Sequence, residues 1–251
     1  MRIAWVFFGV LLAWALGCQA AELERLGPTD ARGRRLGYEY RLSGEIRPGD
    51  TGRLARLFDA DAADPRSAVT ALARARSVAG ALHLELDSPG GDMDEAMRLG
   101  RWLRSRYGFA AVKDGDACAS ACVLVLAGAV HRSTPGTVVV HRHTVDSASP
   151  ARARETWQRV QDSVRGYLRD MNVPGTLLDL ALEARPEKGR TLTREEKRRF
   201  LLWGWDPAAE EESTATLAEF FETTTSEYRR RWAATEATCG SEDLVERRAF
   251  T

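Results

Sequence analysis

Residues 81–108 read ALHLELDSPGGDMDEAMRLGRWLRSRYG, and this stretch decides the fold class. Leu82, Leu84 and Leu86 alternate with His83, Glu85 and Asp87, the period of two expected of a strand. Ser88-Pro89-Gly90-Gly91 is turn chemistry, after which the period lengthens to that of a helix. Met93, Met97, Gly100 and Leu103 then share one buried face, Asp92 and Glu95 supply a capping box, and Gly108 is the stop. A strand that turns directly into an amphipathic helix is the unit from which layered α/β domains are built.

The pattern repeats outward. FAAVKDGDACASACVLVLAGAV (109–130) predicts a short strand near 109–113, a loop, and a helix from about Ser120 to Val130 that is apolar nearly all round and so belongs in the core. After HRSTPG comes TVVVH (137–141), a β-branched run suited to a strand buried on both faces and ending at His141. Upstream, YEYRLSGEI (38–46) alternates as a strand, and TGRLARLFDAD (51–61) is helical. Strands and helices alternating at this spacing predict largely parallel strands. Beyond Pro150, Trp157, Val160, Val164, Leu168 and Met171 recur at helical spacing, and further helices are expected at 176–184 and 193–202. From Pro207 the charged tail suggests one more helix with loose ends.

The chain of 251 residues is long enough for one sizeable core. Its 36 basic residues equal its 36 acidic ones, so no overall field draws it to nucleic acid. The first twenty residues carry one Arg, an apolar run from Ile3 to about Leu16, and small residues ending at Cys18-Gln19-Ala20, the pattern of a cleaved secretory signal. An exported, periplasmic location follows as the expectation, with lipid attachment at Cys18 the alternative. The expected organisation is a signal peptide at 1–20, one domain at 21–206 and a helical tail at 207–251. Cleavage leaves Cys118, Cys122 and Cys239; an oxidising compartment favours pairing, and Cys118 with Cys122 is the expected bridge if Cys118 precedes the helix.

Three features fall at strand C-termini, where open α/β sheets put their ligands: the Gly90-Gly91 turn, Ser120 and His141. A serine nucleophile needs a base to take its proton and fixed donors for the oxyanion. His141 can be the base, and the backbone N–H groups of Gly91 and Ala121 can form the hole, the latter aided by the dipole of the helix that Ser120 opens. Taken singly, Ser120 can be only an N-cap, the glycines only a turn, and His141 only a strand end.

LELDSPGGDMDEAM, DACASACVLVLAG and TVVVHRH, in this order and spacing, resemble the ClpP-like serine peptidases of the ClpP/crotonase superfamily. The similarity covers roughly residues 38–205. It implies an α/β, ClpP/crotonase-like layered fold with a helical extension, Ser120 as nucleophile, His141 as base, and Gly91 and Ala121 as oxyanion donors. It also implies a polypeptide substrate, self-association and no cofactor or metal, while export leaves no ATPase partner to expect. The chain departs from the family in its two cysteines around the serine and in Ala121. The family's catalytic Asp would fall near Gly189, where no carboxylate stands, so Glu187 is the expected substitute, with Glu183 and Asp179 the other candidates. A Cys118–Cys122 bridge would then hold the turn that presents Ala121.

Two other readings use the same residues. One is a ClpP-like fold without catalysis, serving as a binding or assembly module. The other is a metal site at His141 and His143, which share a strand face but lack an obvious third ligand. A CoA-binding crotonase activity is disfavoured because an exported chain does not meet CoA.

Overall fold

The computed structural model describes residues 21–26, 38–63, 82–143 and 149–239. The expected signal segment, the alternative lipid site at Cys18 and the last twelve residues lie outside them. The elements run β1 (Glu22–Leu26), β2 (Tyr38–Ser43), α1 (Asp50–Ala63), β3 (Leu82–Asp87), α2 (Met93–Ser105), β4 (Phe109–Ala111), β5 (Ala117–Ala119) and α3 (Cys122–Gly128). They continue with β6 (His131–Ser133), β7 (Thr137–Val140), α4 (Pro150–Asp170), α5 (Thr176–Glu183), β8 (Arg190–Thr191), α6 (Arg194–Arg199), β9 (Gly204–Trp205), α7 (Pro207–Phe220) and α8 (Thr225–Cys239).

A six-stranded sheet takes the order β1-β2-β3-β4-β6-β9, and β5-β7-β8 form a second sheet. Strands β2, β3, β4 and β6 are mutually parallel, as are β5 and β7; β1, β8 and β9 close the edges antiparallel. This is the layered α/β architecture with largely parallel strands that the sequence predicts. Alternation decides which face is buried: Tyr38, Tyr40 and Leu42 of β2 and Leu82, Leu84 and Leu86 of β3 are all fully buried, in one core with Leu54, Phe58, Leu99 and Leu103. Emptying one such leucine site to alanine costs about 2–5 kcal/mol. Their neighbours Glu39, Arg41, His83, Glu85 and Asp87 share the other face.

Helix α3 is buried along its whole length, as its sequence requires. It packs against α2 with Gly128 on Gly100, where a side chain on either would collide, and the Tyr167 hydroxyl of α4 donates to Leu124 O at 2.7 Å. Arg132, fully buried, donates to carbonyls at the C-terminal ends of three helices: Ala127 in α3 (2.6 Å), Met171 after α4 (3.0 Å) and Leu201 after α6 (2.5 Å). Burial pushes its guanidinium down to about 10, against the opposing attraction of Asp206, so it stays charged at neutral pH. Asp206 lies 3.7 Å away, bonds Arg104 and Asn172, and caps α7 through Ala208 N and Ala209 N. The expected boundary at 206/207 therefore runs through this buried cluster.

Several expectations need correction. Helix α3 begins at Cys122, not Ser120, with Ala121 as its N-cap and no side-chain cap. The capping box at Asp92 is half made: its side chain accepts from Glu95 N, but Asp92 N is committed to Ile46 O and Glu95 turns to Thr51 N and Arg98. Helix α2 ends before Gly108, Tyr107 taking the left-handed turn; Gly108 is needed because a Cβ there would collide with Leu103. The tail holds two helices, α7 and α8, where one was expected.

Candidate active site

The 88–92 turn is held from both sides. Ser88 bridges β5, with Ser88 N to Ala117 O at 2.7 Å and Ala119 N to Ser88 O at 2.9 Å. Gly91 bridges Ile46, with Ile46 N to Gly90 O at 2.7 Å and Asp92 N to Ile46 O at 2.9 Å. The buried Ser88 hydroxyl donates to Gly44 O (2.6 Å) and accepts from Gly90 N (3.1 Å). A trans peptide sets its C=O and N–H in opposite directions. Gly90 O faces Ile46, so the N–H of Gly91 points away from it. Both glycines have positive φ, +102° and +139°, which a side chain would strain.

Ser120 sits where β5 breaks into α3, in the left-handed region at φ +55°. For a non-glycine residue this costs about 1–2 kcal/mol. Three restraints hold it there. Its N–H donates to Val139 O at 3.0 Å, its carbonyl accepts from Val123 N at 3.1 Å, and a disulfide joins Cys118 to Cys122 around it, as expected. Both sulfurs are wholly buried. An ideal Cβ on Gly90 would lie 2.7 Å from Ser120 Cβ and 2.9 Å from Ala121 N, so the glycine turn lies directly on the serine turn. Among the described residues, neither the Ser120 hydroxyl nor the N–H of Gly91 or Ala121 has a hydrogen-bond partner.

Strands β5 and β7 pair Ala119 with Val139, so Ser120 stands level with Val140 and His141 follows one step beyond. The half-buried His141 ring places Nδ1 3.0 Å from Arg142 O. On the other side of β7, Val140 pairs with Arg190, where the ladder ends, and Gly189 directly precedes that pair. The expected slot for the acid is therefore at the end of this ladder, against β7. It is held by a glycine at φ +62° whose Cβ would stand 2.6 Å from Val139 Cγ1.

The substitute carboxylates are elsewhere engaged or exposed. Asp179 pairs with Arg165 at 3.0 Å, and Glu183 and Glu187 are solvent-exposed, Glu187 in the turn before β8. His143 stacks on Trp157 with centroids 6.1 Å apart, its Nε2 buried without a partner and its imidazole held below the ordinary histidine range by burial and by nearby His141. Among the described residues no three His, Cys, Asp or Glu side chains gather as a metal site. Cys118 and Cys122 are bonded to each other and so offer no thiolate.

One contributor escaped sequence reasoning. Arg41 of β2 reaches across the polar face of the sheet to both oxygens of Asp116 (2.9 and 2.7 Å), to Asp87 (3.1 Å) and to Glu85 (3.2 Å), which also pairs with Lys113. Asp87 in turn accepts from Ala117 N at 3.2 Å. This network anchors the loop that leads into β5 and Ser120. The alternation of 38–43 marks Arg41 as off the core but says nothing of a partner in sequence as distant as Asp116.

No family model and no curated protein matches the chain. Among solved structures, a mutant of the 1510-N membrane-bound stomatin-specific protease is similar at 14% identity and a TM-score of 0.43, over 69% of this chain and 82% of that one.

Proposed function

We propose that this chain is a serine hydrolase acting on polypeptides outside the cytoplasm, with Ser120 as nucleophile and His141 as base. The observation that carries the reading is the left-handed Ser120 turn, flanked by the uncommitted amides of Gly91 and Ala121 and lying one register step from His141. His141 Nε2 takes the hydroxyl proton as Ser120 Oγ attacks the carbonyl carbon. The oxyanion is held by the N–H groups of Gly91 and Ala121, and Nε2 returns the proton to the leaving amine. Water then repeats the sequence on the acyl-enzyme. The disulfide supports an oxidising compartment. Self-association through the α4 region belongs to the same reading and is tested by light scattering at micromolar concentration.

The deciding experiment is labelling with a fluorophosphonate probe. Wild type labels, Ser120→Ala does not, and His141→Ala labels at least a hundredfold more slowly. Labelling that persists on Ser120→Ala overturns the assignment. A non-catalytic binding module is the second reading, favoured by the glycine in the acid slot; an unlabelled but folded wild-type chain would support it.

A further inference from the structure

The hydrogen bond from His141 to Arg142 O, at 3.0 Å, fixes a proton. A carbonyl oxygen can only accept, so Nδ1 must carry the hydrogen and the neutral ring keeps its lone pair on Nε2. A base for Ser120 needs that tautomer, and in a serine protease triad a carboxylate on Nδ1 selects it. Here the position expected to carry the acid is Gly189, and the Val139 side chain occupies the space where its Cβ would be. Asp179 is paired with Arg165, and Glu183 and Glu187 face solvent. Arg142 is tied down on its amide side, Arg142 N donating to Ala184 O at 3.1 Å.

We propose that the main-chain carbonyl of Arg142 is the third member of the catalytic group, a positioning element that sets the tautomer and orientation of His141 in place of an acidic side chain. Its role in catalysis rests on the serine hydrolase reading; its hold on the tautomer does not. Being neutral, the carbonyl orients the ring but stabilises the imidazolium less than a carboxylate would. No carboxylate neutralisation can remove it, because it belongs to the backbone. The segment 184–189 that in a conventional arrangement would present the acid instead supplies Ala184 O, which accepts from Arg142 N and so anchors the residue that bears the carbonyl.

The test combines a spectroscopic and a kinetic measurement on the full chain. With 15N-labelled histidine, long-range 1H–15N spectra above the imidazole titration report which ring nitrogen of His141 is protonated, the signal being assigned by its loss in His141→Gln. The expected result is protonated Nδ1, in wild type and in Asp179→Asn/Glu183→Gln/Glu187→Gln alike. That triple variant should label with fluorophosphonate within about twofold of wild type. Incorporating the α-hydroxy analogue of histidine at position 143 turns the Arg142 carbonyl into a weaker ester acceptor. It should slow labelling on the order of tenfold, whereas His143→Ala, which keeps the amide, should not. A protonated Nε2 in wild type, or a hundredfold loss in the triple variant, overturns the proposal. If the chain fails to label at all while Nδ1 is protonated, the hydrolase reading falls and the tautomer assignment stands.

Discussion

An ideal Cβ on Gly90 would stand 2.7 Å from the Cβ of Ser120, so the turn after β3 and the turn before α3 fit together only because one of them lacks a side chain. Gly90→Ala must both overlap Ser120 and Ala119 O and adopt φ +102°. The combined cost is about 2–5 kcal/mol. We expect thermal denaturation to show this loss and probe labelling to fall at least a hundredfold even where the variant is folded. Labelling within threefold of wild type would mean the two turns are not coupled.

The disulfide restrains a very short loop. Closing five residues removes about 2 kcal/mol of unfolded-state entropy. Cys118→Ala/Cys122→Ala should therefore lose at least that much stability, measured by denaturant unfolding. It should lose more than tenfold in labelling rate, because the left-handed Ser120 is released from one of its restraints. Unchanged labelling in the folded double variant would show that the hydrogen bonds of Ser120 alone suffice.

Arg41 binds three carboxylates that would repel one another without it. Arg41→Ala is expected to cost about 1–3 kcal/mol and to slow labelling on the order of tenfold by loosening residues 113–117. Arg41→Lys should recover only part of the rate, since one ammonium cannot make the two-pronged contact with Asp116. The labelling rates of the two variants decide this; equal rates for lysine and wild type would argue for charge alone.

Stability should fall in two steps on acidification. Burial, aided by the nearby charges of His83 and Arg132, holds the His131 imidazole down to about 4. Protons therefore bind the unfolded chain first, and stability declines as pH drops from about 6.5 to about 4, by about 3 kcal/mol in full. Burial pushes the Glu95 carboxyl up, but the amide of Thr51 and the guanidinium of Arg98 outweigh it and hold it at about 2. Its contribution, also about 3 kcal/mol, is complete above about pH 4.5 and lost toward pH 2. Melting temperatures across pH should show His131→Phe flattening the upper step and Glu95→Gln the lower; profiles parallel to wild type would refute the assignment.

What could be read from sequence was local. The leucine alternation of 82–87, the glycine turn and the helical stripe after it are short-range chemistry, and the structure has them where the pattern puts them. The cysteine spacing foretold a bridge because Cys118 lies in β5, outside the helix. The conformation of Ser120 was not legible, since a serine enters the left-handed region only when tertiary restraints force it there. Strands β8 and β9, two residues each, carry no period to detect. The partner of His141 was sought among carboxylates because side chains are what a sequence spells out, and a backbone carbonyl has no letter.

Arg132 has a consequence for motion. One cation supplies the terminal carbonyls of α3, α4 and α6, so fraying any one of these helices leaves a charged donor stranded in the core. The three should exchange their amide hydrogens as a single unit, late and together. The helix behind Ser120 is then a fixed anvil, and any give around the serine must come from the turns that meet it.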